Sequence, residues 1–210
     1  SVLAMAGCLG FLVHAHEAQP MLAALAGHAA AYWALALMER KPARATLIFG
    51  LGLGLGFLGN GFAAMLTLVP VAILGLWRAH ATRAALMTII GGSTVGLLIA
   101  LPWPLLLAFL EPALYARWMD SEIAQFSKPD NIFGNAGAFL AMLPWFAWPA
   151  LPLALWTLRS KRRQLHETRY LMPLLAFIAA WLTLSVTLEA RSSSALLLLP
   201  PLALLAAPGV

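Results

Sequence analysis

Charge is scarce in this sequence. Only 10% of its 210 residues are Asp, Glu, Lys or Arg, whereas 62% are hydrophobic and the mean hydropathy is +0.85. Soluble proteins carry about 25% charged residues. The composition therefore excludes a soluble domain of this size and predicts a protein that crosses a membrane several times.

Cysteine and alternating apolar segments are also nearly absent. The single Cys8 lies in an apolar run, which excludes an internal disulfide and argues against a metal or nucleophile role for the thiol. Membrane barrels need strands in which apolar and polar residues alternate, whereas the apolar runs here are continuous, as from Leu196 to Leu199. Because lipid offers no hydrogen bonds to the backbone, helices are the remaining solution. We predict an all-α, polytopic transmembrane helix bundle.

The basic residues form clusters. Ten of the 13 Lys and Arg residues fall into three short groups, separated by even numbers of apolar segments: Arg40, Lys41 and Arg44; Arg78 and Arg83; Arg159, Lys161, Arg162, Arg163 and Arg169. Short basic loops stay in the cytoplasm during insertion, so all three groups are expected on the cytoplasmic side of an inner (plasma) membrane. The net charge of +5 then reflects topology signals and contacts with membrane lipids, not nucleic-acid binding.

The acidic residues gather in the opposite loops. Six of the 8 Asp and Glu residues lie there: Glu17, Glu111, Asp120, Glu122, Asp130 and Glu189. Carboxylates contribute little to the orientation of a membrane protein, so this distribution calls for a chemical reason. We predict that the extracytoplasmic face carries the functional site.

About eight apolar segments are candidates for membrane-spanning helices, each of which needs ~20 residues. The segments are Ser1 to Val13, Met21 to Met38, Ala45 to Leu58, Phe62 to Trp77, Ala84 to Pro102 or beyond, Ala136 to Leu158, Tyr170 to Leu188 and Ala195 to Val210. The first and last are partial, so residues 1–210 are expected to form one transmembrane domain within a longer protein. The break at residues 59–61 predicts a tight hairpin between the third and fourth spans.

An extracytoplasmic loop is predicted over residues 103–135. Within it, apolar residues recur at helical spacing from Pro112 to Phe126, at Tyr115, Trp118 or Met119, Ile123 and Phe126. This pattern predicts a helix that lies in the membrane interface. The helix is either a simple connector or an element that gates access of a substrate.

Small and polar residues within the spans predict close packing. Gly50, Gly52, Gly54 and Gly56 include pairs four residues apart, a spacing that lets two helix backbones approach closely. His28, inside the second span, is expected to be an interhelical hydrogen-bond partner rather than a ligand.

Two polar groups at span ends are candidate sites. His14, His16 and Glu17 follow the first span, where Glu17 is expected to bind a polar or phosphorylated substrate. A metal held by these three residues is an alternative that requires an irregular turn, because residues at i and i+2 of a helix point apart. Arg191 closes the seventh span, against the positive-inside pattern, and its planar guanidinium suits a phosphate. An ion pair with Glu189 or with another acid of the extracytoplasmic loops is the alternative.

Four motifs occur in an order that resembles one family. They are GLGLGLGFLGNGF at residues 50–62, LPWPLLL at 101–107, LPWFAWPALPLA at 143–154 and LSVTLEARSSSALLLLPPLALL at 184–205. The first resembles the G-L-A-x-L-T-K-G element of the polyprenyl-phosphate-dependent integral membrane glycosyltransferases, which have the GT-C fold. That family includes the aminoarabinose transferase of lipid A and the protein O-mannosyltransferases. The other three are similar to its L-P-W, L-P-W-x-x-x-P and C-terminal L-P-x-x-P elements.

The resemblance implies a cell-envelope transferase that uses a polyprenyl-phosphate-linked sugar donor and a lipid or protein acceptor. No cofactor is expected, with a divalent metal at His14, His16 and Glu17 as the alternative. The acceptor attacks the anomeric carbon with inversion. Asn60 stands where the family has Lys, Arg191 approximates another family Lys, and Glu17 takes the place of an acidic residue. The substrate-binding residues implied are Glu17, His16, Asn60 and Arg191. The main catalytic acid is expected in an upstream loop, so residues 1–210 alone are expected to be inactive.

Two other classes of protein share some of these features. A transporter or flippase for a lipid-linked substrate would also be polytopic, but it would be expected to carry ionisable groups at the midplane. A non-catalytic structural subunit would also use small-residue packing. Both remain alternatives at the level of the sequence.

Overall fold

The computed structural model describes residues 2–15, 20–126, 132–187 and 191–207. Every regular element within those ranges is helical, which confirms the predicted all-α class. The contacts of the chain divide it into two compact units. The first unit is Ala23–Asp130, and the second combines Ser1–Leu22 with Asn131–Val210.

The first unit contains most of the long apolar helices. Its elements are α3 (Pro20–Leu37, which begins three residues before the unit), α4 (Pro42–Arg78), α5 (Arg83–Leu86), a π-helical turn (Met87–Gly91), α6 (Gly92–Ala100), α7 (Pro102–Leu110) and α8 (Pro112–Phe126). The helix predicted from Pro112 to Phe126 is therefore confirmed. Its position in the membrane interface stays a prediction.

Helix α4 is an antiparallel hairpin rather than one long rod. Asn60 and Gly61 leave helical geometry, and Gly61 has a φ of 56°, a value that glycine adopts without a Cβ clash. A straight helix would separate Ala45 from Ala79 by roughly 50 Å at 1.5 Å per residue, yet both lie in one buried cluster. The arms 42–59 and 62–78 thus pack against each other, and the predicted hairpin is confirmed.

The hairpin brings two of the basic groups to the same end of the unit. Met38, Ala45, Ala79 and Ala85 share the buried cluster, so the adjoining Arg and Lys residues lie around one end. This arrangement agrees with a common side of the membrane for both groups. Which side that is stays a prediction.

The glycines of the first arm of α4 allow close contact with two other helices, α3 and α6. A methyl group on Gly52 would lie 2.6 Å from the carbonyl oxygen of Gly27 on α3, whereas one on Gly54 would lie 2.6 Å from Cγ2 of Ile99 on α6. Residues two apart point to nearly opposite sides of a helix and residues four apart to the same side. The repeat therefore combines two small-residue faces, and the predicted close packing is confirmed.

A buried hydrogen bond joins α3 to the second arm. Nε2 of His28 lies 2.6 Å from Oγ1 of Thr67, and Nδ1 lies 2.8 Å from the carbonyl oxygen of Ala24. Both side chains are fully buried. The prediction that His28 is an interhelical hydrogen-bond partner is confirmed.

Replacement of Thr67 by valine is expected to destabilise the first unit by about 0.6 to 2 kcal/mol, because the imidazole of His28 loses its interhelical partner. Thermal unfolding in detergent measures the change. Thr88→Val is the matched control, since the Thr88 hydroxyl is buried without a hydrogen-bond partner among the described residues. Equal losses of stability in the two variants would contradict the role of the His28–Thr67 bond.

The second unit is built around its C-terminal helix. Its elements are α1 (Val2–Ala6), α2 (Leu9–Ala15), α9 (Ile132–Phe146), α10 (Ala150–Ser160), a 3₁₀ turn (Arg162–Gln164), α11 (Thr168–Thr187), α12 (Ser192–Ala195), a 3₁₀ turn (Leu196–Leu198) and α13 (Leu199–Ala206). Helix α13 packs against α10, α11 and α1. Residues 195–203 are all buried, as expected for a segment that is apolar on every side.

The span predicted from Ala136 to Leu158 is wrong as a single helix. Helices α9 and α10 are bent by 102° at the break between them. Pro149 lies in this break, where it has no N–H to donate and its ring disfavours a continuous helix. Hydropathy concealed the bend, because the two helices together are apolar enough to be taken for one span.

Four described helices are long and apolar enough to cross a membrane: Pro20–Leu37, Pro42–Arg78, Arg83–Leu110 and Thr168–Thr187. The bent pair would make a fifth. The predicted number of about eight spans is not confirmed. One reason is that the first predicted span is broken at residues 7–8, and another is that α4 supplies two short arms.

The first part of the predicted loop 103–135 is helical, and the position of this loop relative to the membrane stays a prediction. Residues 102–110 are helical and continue the apolar span that starts at Arg83. Pro102 is tolerated because it stands at the first turn of α7, where its missing N–H is not needed.

Candidate functional site

A buried carboxylate meets the turn of the α4 hairpin. Oε2 of Glu122, on α8, accepts a hydrogen bond of 3.0 Å from the backbone N–H of Phe62. The Glu122 side chain is only 7% exposed. Because Phe62 begins the second arm, its N–H has no partner within that arm, and the carboxylate supplies one.

Gly61 makes this contact possible. A methyl group at Gly61 would overlap the carboxylate of Glu122, and its φ of 56° also disfavours any residue with a Cβ. The turn thus admits the carboxylate because the residue beside it has no side chain. We call Asn60, Gly61, Phe62 and Glu122 the hairpin-turn site.

Asn60 contributes an unused donor to the hairpin-turn site. Its side chain is half-buried, and Nδ2 is buried with no hydrogen-bond partner among the described residues. A buried amide without a partner costs about 1–3 kcal/mol. A ligand oxygen that accepts from Nδ2 would recover that energy.

Aromatic rings line the same region. The ring centres of Phe57 and Phe62 are 5.4 Å apart, and Trp118 lies 6.1 Å from the first and 6.0 Å from the second. Tyr115 is 6.0 Å from Trp118. A few polar groups among aromatic rings are typical of small-molecule sites. Here an amide donor and a buried carboxylate lie at a turn flanked by these rings.

The structure describes only some of the predicted site residues. Asn60 lies in the hairpin-turn site, whereas His16 and Glu17 are outside the described residues. His14 is buried, with Nδ1 at 2.8 Å from the carbonyl oxygen of Gly10 and its ring edge-on to Phe146. Within the described ranges, no three His, Cys, Asp or Glu residues are grouped to hold a metal. The predicted metal alternative depends on the two residues outside those ranges.

Arg191 belongs to the second unit. It is exposed, has an extended backbone (φ −118°, ψ 154°) and directly precedes the short helix α12. Its carbonyl oxygen accepts a 3.1 Å hydrogen bond from Ala195. The alternative partner Glu189 lies outside the described residues. Phosphate binding by Arg191 therefore stays a prediction.

Sequence reasoning missed the role of Glu122. The pattern placed Ile123 on the apolar face of a helix in the membrane interface and gave Glu122 no role, yet Glu122 is buried. A signal was present: Tyr115, Trp118 and Glu122 are spaced i, i+3 and i+7, so they share one helix face. The hydrogen bond to Phe62 is what allows a carboxylate on that face.

One curated relative extends over most of the chain. The chain is 30% identical over 200 residues to undecaprenyl phosphate-alpha-4-amino-4-deoxy-L-arabinose arabinosyl transferase 2 of Proteus mirabilis (strain HI4320). The match covers 90% of this chain and 35% of the relative, so the chain spans about a third of that protein's length. With its apolar spanning helices, the chain is a multi-pass membrane protein, and the similarity indicates a transferase in the general sense.

No protein-family model matches the chain, and no solved structure matches it.

Proposed function

We propose that the chain is part of an integral membrane glycosyltransferase of the GT-C type, which moves a sugar from a polyprenyl-phosphate donor to an acceptor on the extracytoplasmic face. The similarity to an arabinosyl transferase named for an undecaprenyl-phosphate-linked sugar carries this proposal. The polar and aromatic groups of the hairpin-turn site support it, because they suit a sugar.

The proposed reaction has simple requirements. An acceptor oxygen forms a bond to the anomeric carbon, the bond from that carbon to the phosphate oxygen breaks, and polyprenyl phosphate leaves with the electron pair. A carboxylate takes the acceptor's proton, and a cation stabilises the phosphate.

Within this scheme, we assign binding roles to residues of this chain. Asn60 Nδ2 donates to a sugar or acceptor oxygen, and Glu122 holds the turn that carries Asn60. Arg191 and Glu17, with His16, are proposed to contact the donor phosphate and polar substrate groups. In the place where the resembled family has Lys, Asn60 offers a hydrogen bond without a charge, which favours a neutral ligand atom.

The function is tested with the full-length protein in liposomes that contain the extracted envelope lipids of its host. The donor probe is undecaprenyl phosphate linked to 4-amino-4-deoxy-L-arabinose. Mass spectrometry is expected to show release of undecaprenyl phosphate together with a sugar-modified acceptor lipid. Movement of the intact donor between leaflets without loss of its sugar would instead identify a flippase. If the donor is neither cleaved nor moved between leaflets, and the protein binds other envelope proteins tightly, the result would indicate a structural subunit.

Arg191→Ala in the full-length protein is expected to weaken binding of the donor at least ~10-fold, because a guanidinium can make two charge-assisted hydrogen bonds to one phosphate. Arg191→Lys should give an intermediate affinity, since it keeps the charge and loses the planar fork. A binding isotherm with the solubilised variants measures the effect, and Arg44→Ala is the control. Unchanged affinity in a correctly folded Arg191→Ala protein would overturn the phosphate assignment.

A further inference from the structure

The connection between α10 and α11 carries a dense positive charge. Residues 159–169 contain five basic side chains and one acid, Glu167, so their net charge is +4 with His166 neutral. Nε of Arg169 lies 2.8 Å from Oε2 of Glu167, and the Arg169 guanidinium carbon is 4.7 Å from the centre of the Tyr170 ring. The one acid of this segment is thus already engaged by Arg169, which also packs on the Tyr170 ring of α11.

The other four basic side chains remain uncompensated. Within the ranges that the structure describes, no acidic group pairs with Arg159, Lys161, Arg162 or Arg163, and all four side chains are exposed. Like charges this close together repel one another unless counter-charge is supplied. The connection therefore attracts anions from outside the chain.

A cavity lies within this basic connection. It has a volume of about 270 Å³ and is lined by Ser160, Lys161, Arg162, Arg163 and Gln164. Oε1 of Gln164 is buried and has no hydrogen-bond partner among the described residues. The cavity thus offers cationic donors and one unsatisfied acceptor. A ligand that fits both must carry a negative charge together with a hydrogen-bond donor.

The position of the cavity points to a lipid. The span Thr168–Thr187 begins directly after the connection, so the basic residues lie at a membrane boundary. Trp156, one turn before Arg159, is 65% exposed, and the neighbouring Leu155 is 56% exposed. Exposed tryptophan at the end of an apolar helix is typical of head-group depth. Acyl chains can lie along this apolar surface while the head group enters the cavity.

We propose that residues 160–164 form a binding site for the head group of an anionic phospholipid, with phosphatidylglycerol as the ligand that fits best. The lipid phosphate contacts Lys161, Arg162 and Arg163. A glycerol hydroxyl donates a hydrogen bond to Oε1 of Gln164. Phosphatidylcholine lacks both the net charge and the donor, and phosphatidylmethanol has the charge without the donor. The site is independent of the proposed transferase activity.

The site is tested with the full-length protein in nanodiscs of mixed lipids, followed by native mass spectrometry of the retained lipids. The parent is expected to retain phosphatidylglycerol over phosphatidylmethanol, and phosphatidylmethanol over phosphatidylcholine. Combined Lys161→Gln, Arg162→Gln and Arg163→Gln substitutions should lower phosphatidylglycerol retention by roughly tenfold or more. The control combines Arg40→Gln, Lys41→Gln and Arg44→Gln, which remove equal charge at another basic group.

Gln164 distinguishes a specific head-group site from general attraction between charges. Gln164→Met keeps the size of the side chain and removes the acceptor, so a roughly fivefold preference for phosphatidylglycerol over phosphatidylmethanol should disappear. Equal loss of lipid in the control variant, or an unchanged preference in Gln164→Met, would overturn the proposal. Displacement of the lipid by millimolar inorganic phosphate would also overturn it, because the cavity would then be a site for free anions.

Discussion

Gly27→Ala is expected to destabilise the first unit by about 1–3 kcal/mol, and Gly27→Leu is expected to prevent its folding. A methyl group on Gly27 would lie 2.5 Å from the carbonyl oxygen of Gly52 and 2.8 Å from the backbone nitrogen of Gly56. Both are main-chain atoms of a helix, so no side-chain rotation can make room. Helix α3 would have to move away from the hairpin.

The effect of Gly27→Ala is measured by thermal unfolding in detergent, with Gly137→Ala as the matched control. Gly137 lies in α9 and is exposed, and a methyl group on it would have no neighbour within 4 Å among the described residues. Alanine there should be neutral or stabilising by up to ~1 kcal/mol, because it has the higher helix propensity. Should Gly27→Ala be as stable as the parent, the backbone contact between α3 and α4 would be rejected.

The sequence predicted features that arise from local patterns. The glycine repeat predicted close helix packing, the break at residues 59–61 predicted a hairpin, and the spacing of apolar residues predicted the helix Pro112–Phe126. Each depends on backbone geometry or periodicity within one segment, which the sequence displays directly.

The sequence could not reveal features that depend on distant contacts. Glu122 and Phe62 are 60 residues apart. Helical spacing places Glu122 on the face of Tyr115 and Trp118, but no local pattern identifies Phe62 as the partner of its carboxylate. The bend between α9 and α10 was missed for another reason, since the hydropathy pattern runs through it without change. Hydropathy reports transfer into lipid and not the direction of a helix axis.

The same limit applies to the candidate site. Asn60 was singled out because a resembled family has a charged residue there, but its unpaired Nδ2 and the carboxylate beside the turn are tertiary features. Together they change the interpretation of the turn. At this turn, the bond between Glu122 and Phe62 fixes α8 to the end of the hairpin.

Removal of the Glu122 carboxylate is expected to release α8 from the hairpin. Glu122→Ala leaves the N–H of Phe62 without its acceptor, and amide hydrogen exchange in α8 should accelerate by roughly tenfold, as loss of a charged hydrogen bond costs about 1.5–3 kcal/mol. Glu122→Gln retains an acceptor oxygen and should restore most of the protection. The control is Asp120→Ala, an exposed acid on the same helix. Equal exchange in the Glu122→Ala and Asp120→Ala proteins would refute this role.

Gly61→Ala is expected to destabilise the turn for two separable reasons. The backbone (φ 56°, ψ −146°) lies in a region that costs a non-glycine residue about 1–3 kcal/mol, and the new methyl group would overlap the Glu122 carboxylate. Adding Glu122→Ala removes the overlap and leaves the backbone strain. The double variant should therefore be more stable than the sum of the single losses predicts, by about 0.5–3 kcal/mol. Unfolding curves of all four proteins measure this coupling, and strict additivity would show that the carboxylate does not pack on the turn.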